Sequence, residues 1–191
     1  HNFISETVHN NYVYGAWCVK PEDLKDAIGG MRALGISGIN VTAPHKVEVM
    51  KYIDVVTDGA KKLGSVNTVV NRDGKLYGYN TDADGFCMAL TKAGIEIENS
   101  RILIIGAGGV VRPTLIRLID NKPKSITVVN RTKSKAKTLA EDILKSTGFE
   151  VNTEIDKLEF DIVINTTSAG MEPQENVMPI ENIEEINDLS F

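Results

Sequence analysis

The sequence has little cysteine and no long apolar stretch. It contains two cysteines among 191 residues, too few for the disulfide framework that stabilises small secreted domains. No apolar run approaches the ~20 residues of a transmembrane helix, and no signal peptide opens the chain. Internal repeats and low-complexity tracts are lacking as well. Together these absences predict a cytoplasmic protein in a reducing compartment.

The chain also lacks the excess of positive charge that is typical of proteins that bind nucleic acid. Its 21 Lys and Arg residues against 26 Asp and Glu residues give a formal net charge of −5. This mild acidity argues against nucleic acid or an anionic membrane as the main partner. The 42% of hydrophobic residues and 25% of charged residues are ordinary for a globular protein, and the length suits one large domain or two small ones.

The chain is organised around residues 101–111, where an apolar run meets a glycine-rich turn. The apolar residues 102–105 are typical of a strand buried on both faces of a parallel sheet. The glycines that follow allow a tight turn and let a phosphate approach bare backbone at the start of the next helix. Further apolar runs at 125–130 and 160–165 complete an alternation of strands and helices. The pattern predicts the dinucleotide-binding half of a doubly wound α/β fold, although a purely structural turn is an alternative.

The residues after the second strand of this unit indicate which cofactor it takes. NAD-binding units place an acidic residue there to hold the ribose hydroxyls, whereas this chain has Arg131. Its planar guanidinium can bind a 2′-phosphate with two hydrogen bonds, and Lys135 lies one turn further. Cations at a helix N-terminus oppose the helix dipole, so an anion is expected beside them. A solvated basic helix start is the alternative, but the sequence favours NADP over NAD.

Val110 and Val111 occupy positions of the glycine fingerprint at which helix and strand pack closely. Gly, Ala or Ser is usual there. We therefore expect these two β-branched side chains to crowd the turn and to weaken cofactor binding.

Residues 1–85 precede this unit and have their own pattern of helices and strands. We expect a first α/β domain at 1–85, a connecting helix and linker at 86–100, and the dinucleotide-binding domain at 101–191. The predicted elements before residue 100 are helices at 1–4, 21–34 and 82–93, short helical pieces at 46–53 and 58–63, strands at 12–19 and 36–42, and a hairpin of 66–71 with 75–79.

Three groups suited to chemistry lie at the ends of these predicted elements. Lys46 begins a helical piece, where a lysine is electrostatically disfavoured. Asn67 begins a strand, and Thr81 with Asp82 begins a helix. Each has a simpler explanation, namely a solvated lysine, an amide that ends a loop, and a helix cap. Together they place an amine, an amide, a hydroxyl and a carboxylate ahead of the dinucleotide-binding unit.

Six short motifs give the chain a resemblance to the shikimate dehydrogenase family. They occur in the family's order over nearly the whole chain, and they are residues 40–46, 66–68, 80–82, 106–109, 130–132 and 165–171. The resemblance implies an α/β substrate domain followed by a Rossmann domain, with the active site in the cleft between them. It also implies reduction of 3-dehydroshikimate to shikimate with NADPH in aromatic amino-acid biosynthesis.

The resemblance assigns roles to individual residues. Lys46 and Asp82 would form the acid/base pair, and the sequence leaves open which of them transfers the proton. Thr42, Asn67 and Asp82 would bind the substrate, and Asp58 would approach the cofactor. No metal is expected. The other residues expected to hold NADP are Gly106, Ala107, Gly108, Gly109, Val110, Asn130, Arg131, Thr132 and Lys135.

The resemblance departs from the family pattern at both ends. The family has a strand and a serine-containing loop before the His-Asn that stands here as His1-Asn2, and a glycine-rich loop and a glutamine-bearing helix after the segment matching 187–191. We therefore expect part of a longer chain, which forms a monomer or a homodimer.

Several alternatives remain open. They are a non-catalytic fragment or regulatory module of the same fold, a quinate/shikimate dehydrogenase, and an enzyme like glutamyl-tRNA reductase or methylene-tetrahydrofolate dehydrogenase. The last two relatives would not account for the motifs at 40–46 and 80–82.

Overall fold

The first half of the chain forms a four-stranded sheet built on a central hairpin. The computed structural model describes residues 11–173 together with residues 7, 177 and 179. The elements are α1 (Leu24–Ala33), β1 (Gly38–Asn40), β2 (Val55–Val56), α2 (Asp58–Leu63), β3 (Thr68–Arg72) and β4 (Lys75–Tyr79), with 3₁₀ turns at Pro21–Asp23 and Glu48–Lys51. In the sheet order β1–β3–β4–β2, the β1–β3 and β3–β4 pairs are antiparallel and the β2–β4 pair is parallel.

The hairpin between β3 and β4 closes through a two-residue turn. Asp73 and Gly74 both have positive φ, at 52° and 85°, as a type I′ turn requires at its two central positions. Asn71 Oδ1 accepts a hydrogen bond of 2.8 Å from Gly74 N–H. The predicted hairpin is confirmed, and it places the start of β3 beside the end of β4, with Thr68 opposite Tyr79.

The second half of the chain forms a three-stranded parallel sheet. Its strands lie in the order β6 (Ser125–Val129), β5 (Arg101–Ile105) and β7 (Ile162–Asn165). The central strand β5 is almost wholly buried, as its apolar sequence predicts. This strand–helix–strand–helix–strand order confirms the expected α/β architecture. The elements are α3 (Asp82–Lys92), β5 (Arg101–Ile105), α4 (Val111–Asp120), β6 (Ser125–Val129), α5 (Lys133–Thr147) and β7 (Ile162–Asn165).

Each sheet has its own hydrophobic core, but the core of the second half includes residues from the first. Leu63, the last residue of α2, is 6% exposed and packs in this second core. Ala83 and Cys87 of α3 are buried there too. The two halves are therefore joined by apolar packing as well as by the chain.

The central strand β5 and the edge strand β7 are joined at their amino ends by one arginine. Arg101 donates from Nε and Nη2 to the carboxylate of Asp161 at 3.0 and 2.9 Å, and its backbone N–H donates to the same group at 2.7 Å. These bonds lower the pKa of Asp161 from 3.8 to about 2.

Some of the predicted elements differ from those observed. The strand predicted at 12–19 is wrong, because residues 11–20 have no regular structure. Alternation alone does not make a strand without a neighbouring strand to pair with. The strand predicted at 36–42 is shorter than expected, and the helix predicted at 1–4 lies outside the described residues. Within the part of the chain that the structure describes, no helix has the length and apolar character needed to span a membrane.

Candidate active site

The hairpin brings the predicted catalytic residues together at one end of the two central strands of the first sheet. Asn67 precedes β3 and Asp82 follows β4, and the backbone N–H of Asn67 donates to the Tyr79 carbonyl at 2.9 Å. Lys46 lies beside Asn67 because the Lys46 carbonyl accepts a hydrogen bond of 2.8 Å from the N–H of Val66. Residues separated by up to 36 positions along the chain therefore meet there.

Asp82 is contacted on both of its carboxylate oxygens. Lys46 Nζ lies 2.6 Å from Oδ2, and Asn67 Nδ2 donates to Oδ1 at 2.6 Å. The side chain of Lys46 is 25% exposed and that of Asp82 is 54% exposed. The amine is thus sheltered while the carboxylate remains open to a small molecule. We call these three side chains the Lys46–Asp82–Asn67 cluster.

The amide of Asn67 is held in one orientation. Its Oδ1 accepts hydrogen bonds of 3.0 Å from the backbone N–H of Thr81 and from the hydroxyl of Thr68. A backbone N–H can only donate, so the oxygen must face Thr81 and the nitrogen must face Asp82. Thr81 is the N-cap residue of α3 but makes no side-chain cap bond. The Thr81 hydroxyl therefore does not cap the helix. It accepts a hydrogen bond of 3.0 Å from Asn67 Nδ2 instead.

Asn80 and Ser65, to which the sequence assigned no role, form a buried pair next to the cluster. Asn80, only 8% exposed, donates from Nδ2 to the carbonyl and the hydroxyl of Ser65 at 3.1 and 2.8 Å. Its Oδ1 accepts a bond of 3.1 Å from the backbone N–H of Asp82. The signal available in the sequence was a polar residue between a strand end and a helix start, but burial was needed to interpret it.

Two predicted site residues stand apart from these hydrogen bonds. Thr42 is exposed and follows Val41, whose N–H donates to the carbonyl of Asn67 at 2.7 Å. Its side chain has no bond to the Lys46–Asp82–Asn67 cluster in the described structure. Asp58 begins α2 with a fully exposed side chain that contacts Lys61 at 3.5 Å, and the structure does not bring it into contact with the glycine turn.

The glycine turn has one closed position and two open ones. Gly106 has φ +113°, and a Cβ there would collide with Oγ1 of Thr166, so only glycine fits. Gly108 and Gly109 face open space, with no atom within 4 Å of a Cβ built on them. Their backbone can therefore be approached closely, as a bound pyrophosphate requires.

The two valines after the turn lie in opposite environments. Val110 is 54% exposed, whereas Val111 is fully buried in the core of the second half. The expectation that both valines crowd the turn is wrong for Val110, because its side chain faces solvent. Val111 is accommodated as an ordinary core residue at the first position of α4.

The residues after β6 link the glycine turn to a basic surface. Asn130 Oδ1 accepts a bond of 3.1 Å from Ala107 N–H, and its Nδ2 donates to the Thr132 carbonyl at 3.0 Å. Arg131 and Lys135 are exposed, and among the described residues neither forms an ion pair. Two cations without a carboxylate partner, next to an open glycine turn, fit the charge of a 2′-phosphorylated dinucleotide.

Two family models match most of the chain. The one described as shikimate dehydrogenase substrate binding domain matches residues 1–69. The one described as shikimate / quinate 5-dehydrogenase matches residues 88–189.

Curated relatives give the same family. The shikimate dehydrogenase (NADP(+)) of Geobacillus sp. strain WCH70 is 46% identical, over 94% of this chain and 70% of that protein. The protein of the same name from Caldanaerobacter subterraneus is 43% identical, over 94% of this chain and 66% of its own length. The chain thus spans about two thirds of the length of these relatives.

Solved structures agree with the curated relatives. A crystal structure of shikimate dehydrogenase in complex with NADP+ superposes with a TM-score of 0.84 at 40% identity, covering 93% of this chain and 64% of that one. The shikimate dehydrogenase of Aquifex aeolicus gives 0.82 at 38% identity, covering 94% and 66%. These matches favour the expected family over the alternatives considered from the sequence. This chain therefore belongs to the shikimate dehydrogenase family.

Proposed function

We propose that this protein reduces 3-dehydroshikimate to shikimate with NADPH, as a step of aromatic amino-acid biosynthesis. The observation that carries the proposal is the Lys46–Asp82–Asn67 cluster, in which an amine and an amide hold one half-exposed carboxylate at 2.6 Å each. The names of the relatives support the reaction, and the open glycine turn beside the exposed Arg131 and Lys135 supports the cofactor.

In the proposed enzyme, each of the two sheets belongs to a domain with its own function. Residues 1–85 form the substrate domain, residues 101–191 the NADP-binding domain, and residues 86–100 the connection. The family model for a substrate-binding domain at 1–69 supports this division. So does the origin of the cluster, because Lys46, Asn67 and Asp82 meet at the end of the central strands of the first sheet.

The residues of the cluster have separate tasks in the proposed reaction. Bound NADPH supplies a hydride to the carbonyl carbon, and the carbonyl oxygen then needs a proton. Lys46 Nζ donates that proton and is reprotonated from solvent. Asp82 orients the amine from 2.6 Å and has enough exposed surface to accept a hydrogen bond from a ring hydroxyl. Positioned proton donors of this kind contribute roughly 10²–10⁴-fold to a rate.

Thr42 and Asn67 complete the proposed substrate contacts. Thr42 is exposed, and within the described residues its hydroxyl forms no hydrogen bond, so we propose that it binds a ring hydroxyl. Both amide hydrogens of Asn67 are engaged with Thr81 and Asp82, so its contact with substrate requires that one of these bonds be shared.

The proposed NADP site combines the glycine turn with the basic helix start. Open backbone receives the pyrophosphate, and Arg131 with Lys135 receives the 2′-phosphate. Asp58 is a further proposed contact of the cofactor. The residues of the site are Asp58, Gly106, Ala107, Gly108, Gly109, Val110, Asn130, Arg131, Thr132 and Lys135.

We propose that the protein works in the cytoplasm. Cys18 and Cys87 are both free thiols, which suits the reducing cytoplasm. A monomer and a homodimer are both compatible with the proposed site, and sedimentation of the purified protein would distinguish them.

A single-turnover assay tests the proposed function. Shikimate and NADP+ are mixed with this chain and, separately, with the complete protein, and NADPH formation is followed by absorbance. NADPH formed by the complete protein supports the proposal, and NADPH formed by this chain as well shows that residues 1–191 suffice. No NADPH from either would contradict it. Quinate, tested in parallel, would support the quinate/shikimate alternative if it were oxidised equally fast.

A further inference from the structure

Arg112 joins the glycine turn to the first half of the molecule. It lies in the first turn of α4, and its Nη1 donates to the backbone carbonyl of Leu63 at 2.9 Å. Its Nε donates to Asp142 Oδ2 of α5 at 2.6 Å. Leu63 is the last residue of α2, so a cation sits at the C-terminal end of that helix, where it also favours the helix dipole.

The next residue, Gly64, has no side chain and so leaves room for this arginine. It caps α2 in the left-handed conformation with φ +70°, and a Cβ on it would lie 2.9 Å from Arg112 Nη1. Any side chain at this position would therefore strain the backbone and displace the guanidinium. The close approach of Arg112 to the end of α2 thus depends on glycine at position 64.

The segment that follows Gly64 leads directly to the catalytic cluster. Ser65 is buried and accepts two hydrogen bonds from Asn80. Val66 N–H donates to the carbonyl of Lys46, and Asn67 donates to Asp82. Because these three residues are consecutive, a short segment connects the Leu63 carbonyl to the cluster.

We propose that Arg112 is a positioning residue that holds the Lys46–Asp82–Asn67 cluster at a fixed place relative to the NADP-binding turn. The proposal rests on the proposed function. Hydride transfer needs reacting atoms about 3–3.5 Å apart, and a displacement of about 1 Å can cost 100-fold in rate. The cluster belongs to one half of the molecule and the glycine turn to the other. The bond from Arg112, in the helix after the turn, to Leu63, in the helix before the cluster segment, serves this requirement.

A second polar contact crosses the same interface and provides a control. Lys62 Nζ contacts both carboxylate oxygens of Asp120, at 2.6 and 2.8 Å. The Lys62 side chain is 53% exposed. Its partner Asp120 is the last residue of α4, at the opposite end of that helix from the glycine turn. Exposed ion pairs of this kind contribute little to stability. Replacing Lys62 therefore removes a charge from the interface and leaves the bond from Arg112 to the Leu63 carbonyl in place.

The kinetic experiment compares three variants of the complete protein with the wild type. Arg112→Met removes the donors, and we expect kcat to fall about 10- to 100-fold while the Kd for NADP+ and the KM for shikimate hardly change. Arg112→Lys keeps one donor within reach of Leu63 and should restore part of kcat. Lys62→Met should leave kcat near the wild-type value. A normal kcat in folded Arg112→Met, or a loss of NADP+ affinity that accounts for the whole rate loss, would overturn the proposal.

Amide hydrogen exchange gives a readout that does not depend on turnover. In Arg112→Met, exchange should accelerate at residues 64–67 and stay unchanged in strand β5. Unchanged exchange at 64–67 would overturn the positioning role. A wild-type protein that does not oxidise shikimate would contradict the proposed function, and the exchange comparison would still decide whether Arg112 holds this segment in place.

Discussion

The side-chain amide of Asn67 donates to Asp82 at 2.6 Å, on the carboxylate oxygen that Lys46 does not contact. Asn67 is itself 6% exposed and fixed by the backbone of Thr81. The carboxylate is therefore oriented by a buried group before any ligand arrives, and the amine is oriented by the carboxylate.

Lys46 and Asp82 should behave as one unit in the complete enzyme. Lys46→Ala should lower kcat by roughly 10²–10⁴ and raise the KM for shikimate much less, because a positioned proton donor is lost. Asp82→Asn keeps the hydrogen-bond geometry but removes the charge, so it should alter the pH profile as well as the rate. The double variant should be about as slow as the slower single variant, because groups that act together are not additive.

Steady-state kinetics of the three variants at saturating substrate check this prediction. A solvated lysine and a simple helix start would leave kcat nearly unchanged, so near-normal kcat in Lys46→Ala would remove the lysine from the mechanism. Lys51→Ala serves as the matched control, since Lys51 lies in the 3₁₀ turn Glu48–Lys51, is 68% exposed and pairs with Glu48 at 2.8 Å.

Arg131 should determine the preference for NADP over NAD. Arg131→Asp removes the guanidinium and adds repulsion toward a 2′-phosphate, which should weaken NADP+ binding by about 2–4 kcal/mol if two charge-assisted bonds are lost. Calorimetric titration with NADP+ and NAD+ measures the change. Lys137→Asp makes the same charge change six residues further along the chain, within α5, and should have a much smaller effect. Equal dissociation constants for the two nucleotides in the wild type would contradict the assignment.

Val111 and Val110 should respond differently to truncation. Val111→Ala removes buried methyl groups and should lower the free energy of unfolding by about 1–3 kcal/mol. Val110→Ala should be nearly neutral, because that side chain is 54% exposed. Urea unfolding measures both. NADP+ affinity should be unchanged in the folded variants, and tighter binding by Val111→Ala would show that the valine does crowd the turn.

The Arg101–Asp161 contact should make stability depend on pH in the acid range. The pKa of Asp161 is about 2 in the folded protein against an ordinary 3.8. Its contribution is therefore fully present above pH 4 and is lost as the pH falls toward 2. Asp161→Asn should lower the urea midpoint at pH 7, and the difference from the wild type should shrink toward pH 2. A difference that did not change with pH would contradict this prediction, and Asp156→Asn, an exposed carboxylate nearby, should show no such trend.

The sequence alone predicted the elements that are specified by neighbouring residues. The strand Arg101–Ile105, the glycine turn and the helix that follows it are encoded within about twenty consecutive residues. The turn at Asp73 and Gly74 is encoded in two. Such elements can be recognised locally, because their apolar period and their glycine positions do not depend on the rest of the fold. The motifs of the family carried the remainder of the prediction.

Other features depended on contacts between distant parts of the chain. The bond from Arg112 to Leu63 spans 49 positions and the bond from Asn67 to Asp82 spans 15, so neither follows from local pattern. The strand predicted at 12–19 failed for a related reason, since a strand needs a partner that its own sequence does not supply.

Val110 and Val111 show the difference most simply. They are identical neighbours in the sequence, yet one is exposed and the other fully buried. Successive positions at a helix start point about 100° apart, and only the packing of α4 against its sheet decides which of them faces the core.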